Sequence, residues 1–188
     1  MRRADMPTFG NLSGIRVVTT GTKIAGPVAA TFLAEQGAEV IHIESTKAPD
    51  MLRRMGRAWT MEHRNGRAMA LNIPEPEGKR IFLKLLEGAD VLIEASKAGQ
   101  YDKWGLSDEV LWSTNPKLVI AHVSGFGQTG DARYVSRPSF DPIGQAFSGF
   151  TAVNGMPGPE PPYAAKPYSC DYISALFAAW SGAAALVD

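Results

Sequence analysis

The stretch IRVVTTGTKIAGPVAATFLAEQGAEVIHIE, residues 15–44, reads as strand, turn, helix and strand. IRVVTT (Ile15 to Thr20) is a short β-branched run, GPVAATFLAEQGA follows helical composition, and EVIHIE (Glu39 to Glu44) is β-branched again. Pro27 suits the first helical turn because its φ is preset and its missing N–H has no partner to lose there, and Gly37 suits the position just past the end. Short β-branched runs alternating with helical patterns are the signature of a parallel sheet with crossover helices.

Working outward, AMALNI (Ala68 to Ile73) reads as a third strand, followed by a helix in PEGKRIFLKLLEGA whose Ile81, Leu85 and Phe82, Leu86 pairs fall at helical spacing. VLIEAS (Val91 to Ser96) is the next strand, SDEVLWSTN a short helix capped by Ser107, and KLVIAHVSG (Lys117 to Gly125) another strand. The expected fold class is therefore α/β: an open, Rossmann-like parallel sheet with flanking helices. From Gly125 to Cys170 the chain is rich in Gly, Pro, Ser and aromatics, with one helical candidate around PIGQAFSGF. A connection that long inside a domain is usually functional. It leads into PYSCDYISALFAAW, and ISALFAAWSGAAALVD reads as a buried helix that ends without a glycine, a basic last turn or a polar tail. The expectation is that residues 1–188 are the N-terminal part of a larger domain.

The 188 residues suit one domain, and 19 basic against 19 acidic side chains balance to zero, which argues against a nucleic-acid partner. No apolar run approaches the roughly 20 residues needed to span a bilayer. The start MRRADMPTFG has arginines without an apolar signal core, so a cytoplasmic protein with no membrane partner is expected. The single cysteine, Cys170, excludes an internal disulfide framework, and His42, His63 and His122 form no metal-ligand spacing, so no metal is expected.

Three places could carry chemistry. The turn GTKIAGP, with Glu44 at the end of the second strand, invites a dinucleotide reading, but Gly21 and Gly26 do not supply the closely spaced glycines of that fingerprint; a plain strand-to-helix turn and another nucleotide-like ligand both stay open. The run MLRRMGRAWTMEHRNGR carries Arg53, Arg54, Arg57, Arg64 and Arg67, either as a solvated face or as guanidinium forks for a polyphosphorylated ligand such as coenzyme A. Asp171 falls in the first turn of the last helix, with Ser169 as a plausible cap; it either complements the helix dipole or is a working carboxylate. Cys170 beside it lacks a neighbouring base and reads as a small buried thiol.

LSGIRVV, IAGP with LAEQGAEVIHIE, HRNGRAMALNI, ADVLIEASK, GLSDEVLWSTNPKLVIAHVSGFGQTG, FDPIGQAFSGF and CDYISAL together resemble the class III CoA-transferases, the carnitine dehydratase and bile-acid-inducible group, over nearly the whole chain. IAGP, IEASK, DEVLW, NPKLVIAH and AFSG resemble the carnitine branch in particular. The resemblance implies that Asp171 is the catalytic nucleophile and that its first-turn position holds it ionised. It implies CoA transfer from crotonobetainyl-CoA or γ-butyrobetainyl-CoA to L-carnitine, through an aspartyl anhydride and an aspartyl-CoA thioester. No tightly bound cofactor is implied; CoA enters as substrate. For CoA binding it implies Lys97, Lys103, where Trp104 departs from the arginine expected beside it, and Arg67. It also implies an interlocked homodimer of longer subunits, so the 188 residues alone are expected to be weakly folded or inactive. Phe140 stands where the racemases of the family place a histidine, which leaves proton transfer without its shuttle. A nucleotide-binding or scaffolding fragment is the alternative from another class. For a trimethylammonium group, Tyr163, Tyr168 and Tyr172 are the aromatic candidates, against simple packing.

Overall fold

The structure, a computed structural model, describes residues 7–156 and 158–187; Arg2, Arg3 and the last residue of the apolar run lie outside these. Its centre is a five-stranded parallel sheet of β1 (Arg16–Thr19), β2 (Glu39–Glu44), β3 (Arg67–Ala70), β4 (Val91–Glu94) and β5 (Val119–His122) in the order β3-β2-β1-β4-β5. The helices are α1 (Ala25–Glu35), α2 (Arg57–Glu62), α3 (Pro76–Leu86), α4 (Gln100–Lys103), α5 (Asp108–Thr114), α6 (Asp141–Phe147), α7 (Phe150–Val153) and α8 (Ser169–Ala185), with a 3-10 turn at Met51–Met55. Strands and main helices stand where the sequence places them. All but β2 stop one to three residues short of the runs read from the sequence, and the residues just beyond them shape the carboxyl edge.

Alternation of side chains along each strand sends Val17, Val40, Val91 and Ile93 to one face, where α1 and α8 cover them, and Val18, Ile41, Ile43 and Leu92 to the other, against Phe82, Leu86, Leu106 and Leu111. α1 is buried along nearly its whole length because it lies between the sheet and α8, which meets it through the small residues Ala175 and Ala179. The final helix is therefore not the fully buried one its composition suggests. Its small-residue stripe is inside, while Ile173, Leu176, Phe177 and Trp180 are exposed.

The strand-to-helix turn after β1 explains its two glycines. A Cβ on Gly26 would sit 2.8 Å from the Gly21 Cα and 3.1 Å from the Ala95 Cβ, so the backbone of β1's exit crosses the start of α1 at a distance only glycine allows. Gly26→Ala is expected to lower stability by about 1–3 kcal/mol through overpacking, read as a fall in the urea midpoint with an unchanged slope. This close crossing, rather than a pyrophosphate, accounts for the glycine spacing.

Candidate active site

In an open parallel sheet the loops diverge where the strand order reverses, and ligands bind outside the carboxyl ends at that point. Here the reversal lies between β1 and β4, and a cleft of about 230 Å³ opens there, walled by Thr22 to Ala25 after β1, Ala95 to Lys97 after β4 and Val123 to Gly125 after β5. The starts of α6 and α8 close it with Phe140, Asp141, Cys170 and Asp171. The Gly-rich SGFGQTG segment thus reaches the cleft through Ser124 and Gly125, and Gly125 has no room for a side chain because a Cβ would lie 2.1 Å from the Ser139 Cβ.

Asp171 occupies the first turn of α8, as its sequence position indicates, but the cap is different. Tyr168, in left-handed backbone at φ 47°, takes the N-cap position, and Ser169 is the first helical residue without capping. The acceptor comes from α6 instead. Asp141, 3 % exposed, receives the Cys170 N–H at 2.8 Å and the Asp171 N–H at 3.4 Å on Oδ1. Its Oδ2 receives the Gln145 Nε2 amide at 2.5 Å. Gln145 is fully buried, donates from Nε2 to the Ala165 carbonyl at 3.1 Å and accepts the Ala165 N–H at 2.7 Å, which fixes the chain just upstream of the nucleophile candidate.

The helix start is not the only influence on the Asp171 carboxyl. Burial and then the neighbouring negative charge of Asp141 push its carboxyl up to about 6, against a smaller opposing pull from Lys23. At neutral pH the group is still a carboxylate, but a more basic one than an exposed aspartate. Burial, then Asp141 and Asp171, also push the Cys170 thiol up, away from the thiolate that nucleophilic attack requires.

Lys23 is the residue that sequence reasoning missed. Its backbone is left-handed (φ 67°), and its N–H is held by the buried carboxylate of Asp50, which also accepts the Leu52 N–H at 2.8 Å and lies 3.6 Å from His63 Nε2. Its ammonium sits 3.8 Å from the centre of the Phe140 ring. The residue lay inside a segment legible only as a turn.

Lys97 lines the cleft and also an adjoining one of about 440 Å³ near the ends of β4 and β5. The turn that carries it is braced by Glu94, whose Oε2 accepts the Ser96 N–H at 2.8 Å while Oε1 pairs with His122 Nδ1 at 2.7 Å. Glu94 and then Asp108, 3.1 Å from Nε2, raise the His122 pKa against the opposing effect of burial, and the imidazole bridges the two carboxylates. Lys103 ends α4, exposed, and lines neither cleft. Arg67 opens β3 at the amino edge of the sheet, with Nη1 3.8 Å from Glu39 Oε1, and is not in the cleft.

The other arginines favour the solvated-face reading. Arg53 clasps Glu44 and stacks on Trp59 at 3.8 Å, and Arg64 pairs with Glu35. Glu44, already bound to Arg53 and to the Asp50 N–H, is not disposed toward a ribose. None of the three tyrosines lines the cleft: Tyr172 donates to Glu62, the Asn154 amide donates to the Tyr163 carbonyl at 2.9 Å, and Tyr168 takes the N-cap position of α8. Among the described residues no group of three His, Cys, Asp or Glu side chains could hold a metal ion, and no helix is long and apolar enough to cross a membrane.

Fold and cleft together define an open-sheet α/β protein whose ligand edge holds a half-buried carboxylate, Asp171, at the start of α8. The chain belongs to CoA-transferase family III, whose sequence model matches residues 12–188. It is 47 % identical over 184 residues to the bile acid CoA-transferase BaiK of Clostridium scindens, which covers 97 % of this chain and 41 % of that protein. It is 49 % identical over 181 residues to an L-carnitine CoA-transferase of Proteus mirabilis, covering 96 % of this chain and 44 % of that one. The chain thus spans less than half the length of these curated relatives. Among solved structures, a CAIB/BAIF family protein from Brucella suis superposes with a TM-score of 0.89 at 29 % identity, covering 96 % of this chain and 50 % of that one. Rv3272 of Mycobacterium tuberculosis superposes with 0.84 at 30 % identity over 96 % and 49 % of the two chains.

Proposed function

We propose that the protein exchanges CoA between carboxylic acids by covalent catalysis at Asp171. The observation that carries this reading is the placement of Asp171: a half-buried carboxylate at the amino end of α8, pushed up to about 6, facing the cleft where a parallel sheet receives its ligand. The carboxylate attacks the thioester carbonyl of the donor, and the C–S bond breaks to give a mixed anhydride and CoA thiolate. The thiolate then attacks the aspartyl carbonyl, the anhydride C–O bond breaks, and the donor leaves as its carboxylate, so that CoA is held as an aspartyl thioester. The acceptor acid attacks that thioester and expels the thiolate. Thiolate attack on the acceptor's own acyl carbon then regenerates Asp171. The overall exchange replaces one thioester with another of similar energy, so no nucleotide is consumed.

Lys97, on the cleft wall at an exposed position, is the residue best placed to meet CoA phosphate. The first-turn amides of α1, which open on the cleft at Ala25, suit a developing oxyanion, because helix-start N–H groups lack intrahelical partners. Racemisation is left without a shuttle, since Phe140 has no exchangeable proton. The carnitine-type acid pair is supported by similarity rather than by the cleft, where no aromatic cage assembles. The exposed apolar side of α8 is a surface on which the implied homodimer could form, or further chain could pack.

Incubating the protein, in the full length in which it is encoded, with acyl-CoA and hydroxylamine tests the reading. Mass mapping of a hydroxamate at Asp171 is the expected result, and exchange that proceeds without it would sink the mechanism. The pH profile gives a second check. Only the ionised carboxylate is a nucleophile, so kcat/KM is expected to be level above about 6 and to fall as pH drops through that value.

A further inference from the structure

Lys23 is half-buried on the cleft wall, whereas Lys97 and Arg137, the other cations there, are exposed. Two features show that its position is imposed. A left-handed backbone is unfavourable for a lysine, and the buried Asp50 carboxylate anchors it in that conformation. The ammonium then rests on the Phe140 ring, and among the described residues it forms no salt bridge. The fold has thus fixed an ammonium without an ion-pair partner beside the nucleophile.

The same contact decides what the aromatic faces can do. A quaternary ammonium is recognised over the open face of an aromatic ring. Near this cleft those faces already carry the protein's own cations: Lys23 lies over Phe140, Lys166 lies 5.6 Å from the centre of Tyr168, and Arg137 lies 5.0 Å from that of Tyr134. A trimethylammonium group entering here would meet like charge. A second carboxylate on the acyl group would meet an ammonium whose opposing charges on the cleft wall, Asp171 and Asp141, lie beyond ion-pair distance.

We infer that Lys23 is a specificity-determining residue that selects acyl groups by charge, favouring acids with a second carboxylate and rejecting those with a quaternary ammonium. This rests on the exchange reading above. When Asp171 is acylated its negative charge is lost, and Lys23 then has even less counter-charge from the protein, so the preference is strongest in the covalent intermediates. In a partly desolvated cleft a single charge several ångströms away changes affinity by roughly tenfold or more.

The test uses the full-length protein and three donors, succinyl-CoA, butyryl-CoA and γ-butyrobetainyl-CoA, and measures the second-order rate of hydroxylamine-trapped modification at Asp171 for each. The expected order is succinyl, then butyryl, then butyrobetainyl, with about tenfold or more between the extremes. Lys23→Arg keeps that order, Lys23→Met flattens it, and Lys23→Glu reverses it, with unfolding midpoints confirming that each variant is folded. Modification of Asp171 with no charge ranking, or with a ranking that Lys23→Glu and Lys23→Met leave unmoved, overturns the inference while the exchange reading stands. Failure of every donor to modify Asp171 overturns the exchange reading and this inference with it.

Discussion

Replacing Asp171 with asparagine is expected to cut CoA exchange by about 10³-fold or more and, at the same time, to make the folded protein more stable at neutral pH. The first effect follows from the chemistry. An amide cannot form the anhydride, and the flanking groups orient a substrate without supplying a covalent path. The second follows from the environment. The Asp171 carboxyl titrates at about 6 in the folded chain, raised from 3.8. Between those values the folded state binds more protons than the unfolded one, so stability declines as pH rises from about 4 to about 6, and the whole penalty is present above that. A half-buried group is screened by water, which leaves a penalty on the order of 1 kcal/mol. Asparagine removes it. The measurement is a pair of denaturant curves at pH 4 and pH 8, where the variant is expected to gain at pH 8 and not at pH 4. An unaltered exchange rate in the variant would refute the role assigned to Asp171; a loss of stability at pH 8 would refute the account of its environment.

How much of this was legible in the sequence depends on the range of the interactions involved. The βαβ unit at residues 15–44, the strand at Val91 and the helix carrying Phe82 and Leu86 are set by local periodicity and by caps such as Pro27 and Gly37, and they fold where those signals stand. The nucleophile candidate was marked by a motif and its position by a helix start. Its surroundings were not legible, because they come from residues distant in the chain: Asp141 from α6, 30 residues away, and Lys23 from the turn after β1. Ser169 looked like the local cap, and a better acceptor reached the same amides from another helix. Arg67 was implied by the family resemblance, and its register opposite Ile41 puts it at the start of an edge strand, outside the cleft. The short helices α2 and α4 carry too few residues for a period to show; the visible signals there were Asp50, which accepts the Leu52 N–H at the start of the 3-10 turn, and Gly99, in left-handed backbone before α4.

Asp141 is where stability and reactivity of the site are coupled, and two substitutions separate them. Asp141→Ala removes the acceptor for the Cys170 and Asp171 amides and leaves the buried Gln145 amide with only the Ala165 carbonyl. Loss of a cap and an unsatisfied buried donor together cost on the order of 2–4 kcal/mol, visible as a lower urea midpoint at constant slope. Exchange falls as well, because α8 loses the contact that orients its first turn. Asp141→Asn keeps an oxygen for those amides and removes the charge. The like-charge repulsion that helps to raise Asp171 disappears while burial stays, so the acid limb of the exchange profile moves to lower pH and the rate at neutral pH falls modestly, in keeping with a less basic nucleophile. A limb that moves upward in Asp141→Asn, or an Asp141→Ala protein as stable as the parent, would show that the long-range cap does not govern the carboxylate. If both shifts are found, the helix start is set by α6 rather than by its own sequence, and the basicity of Asp171 is a consequence of how the two helices meet.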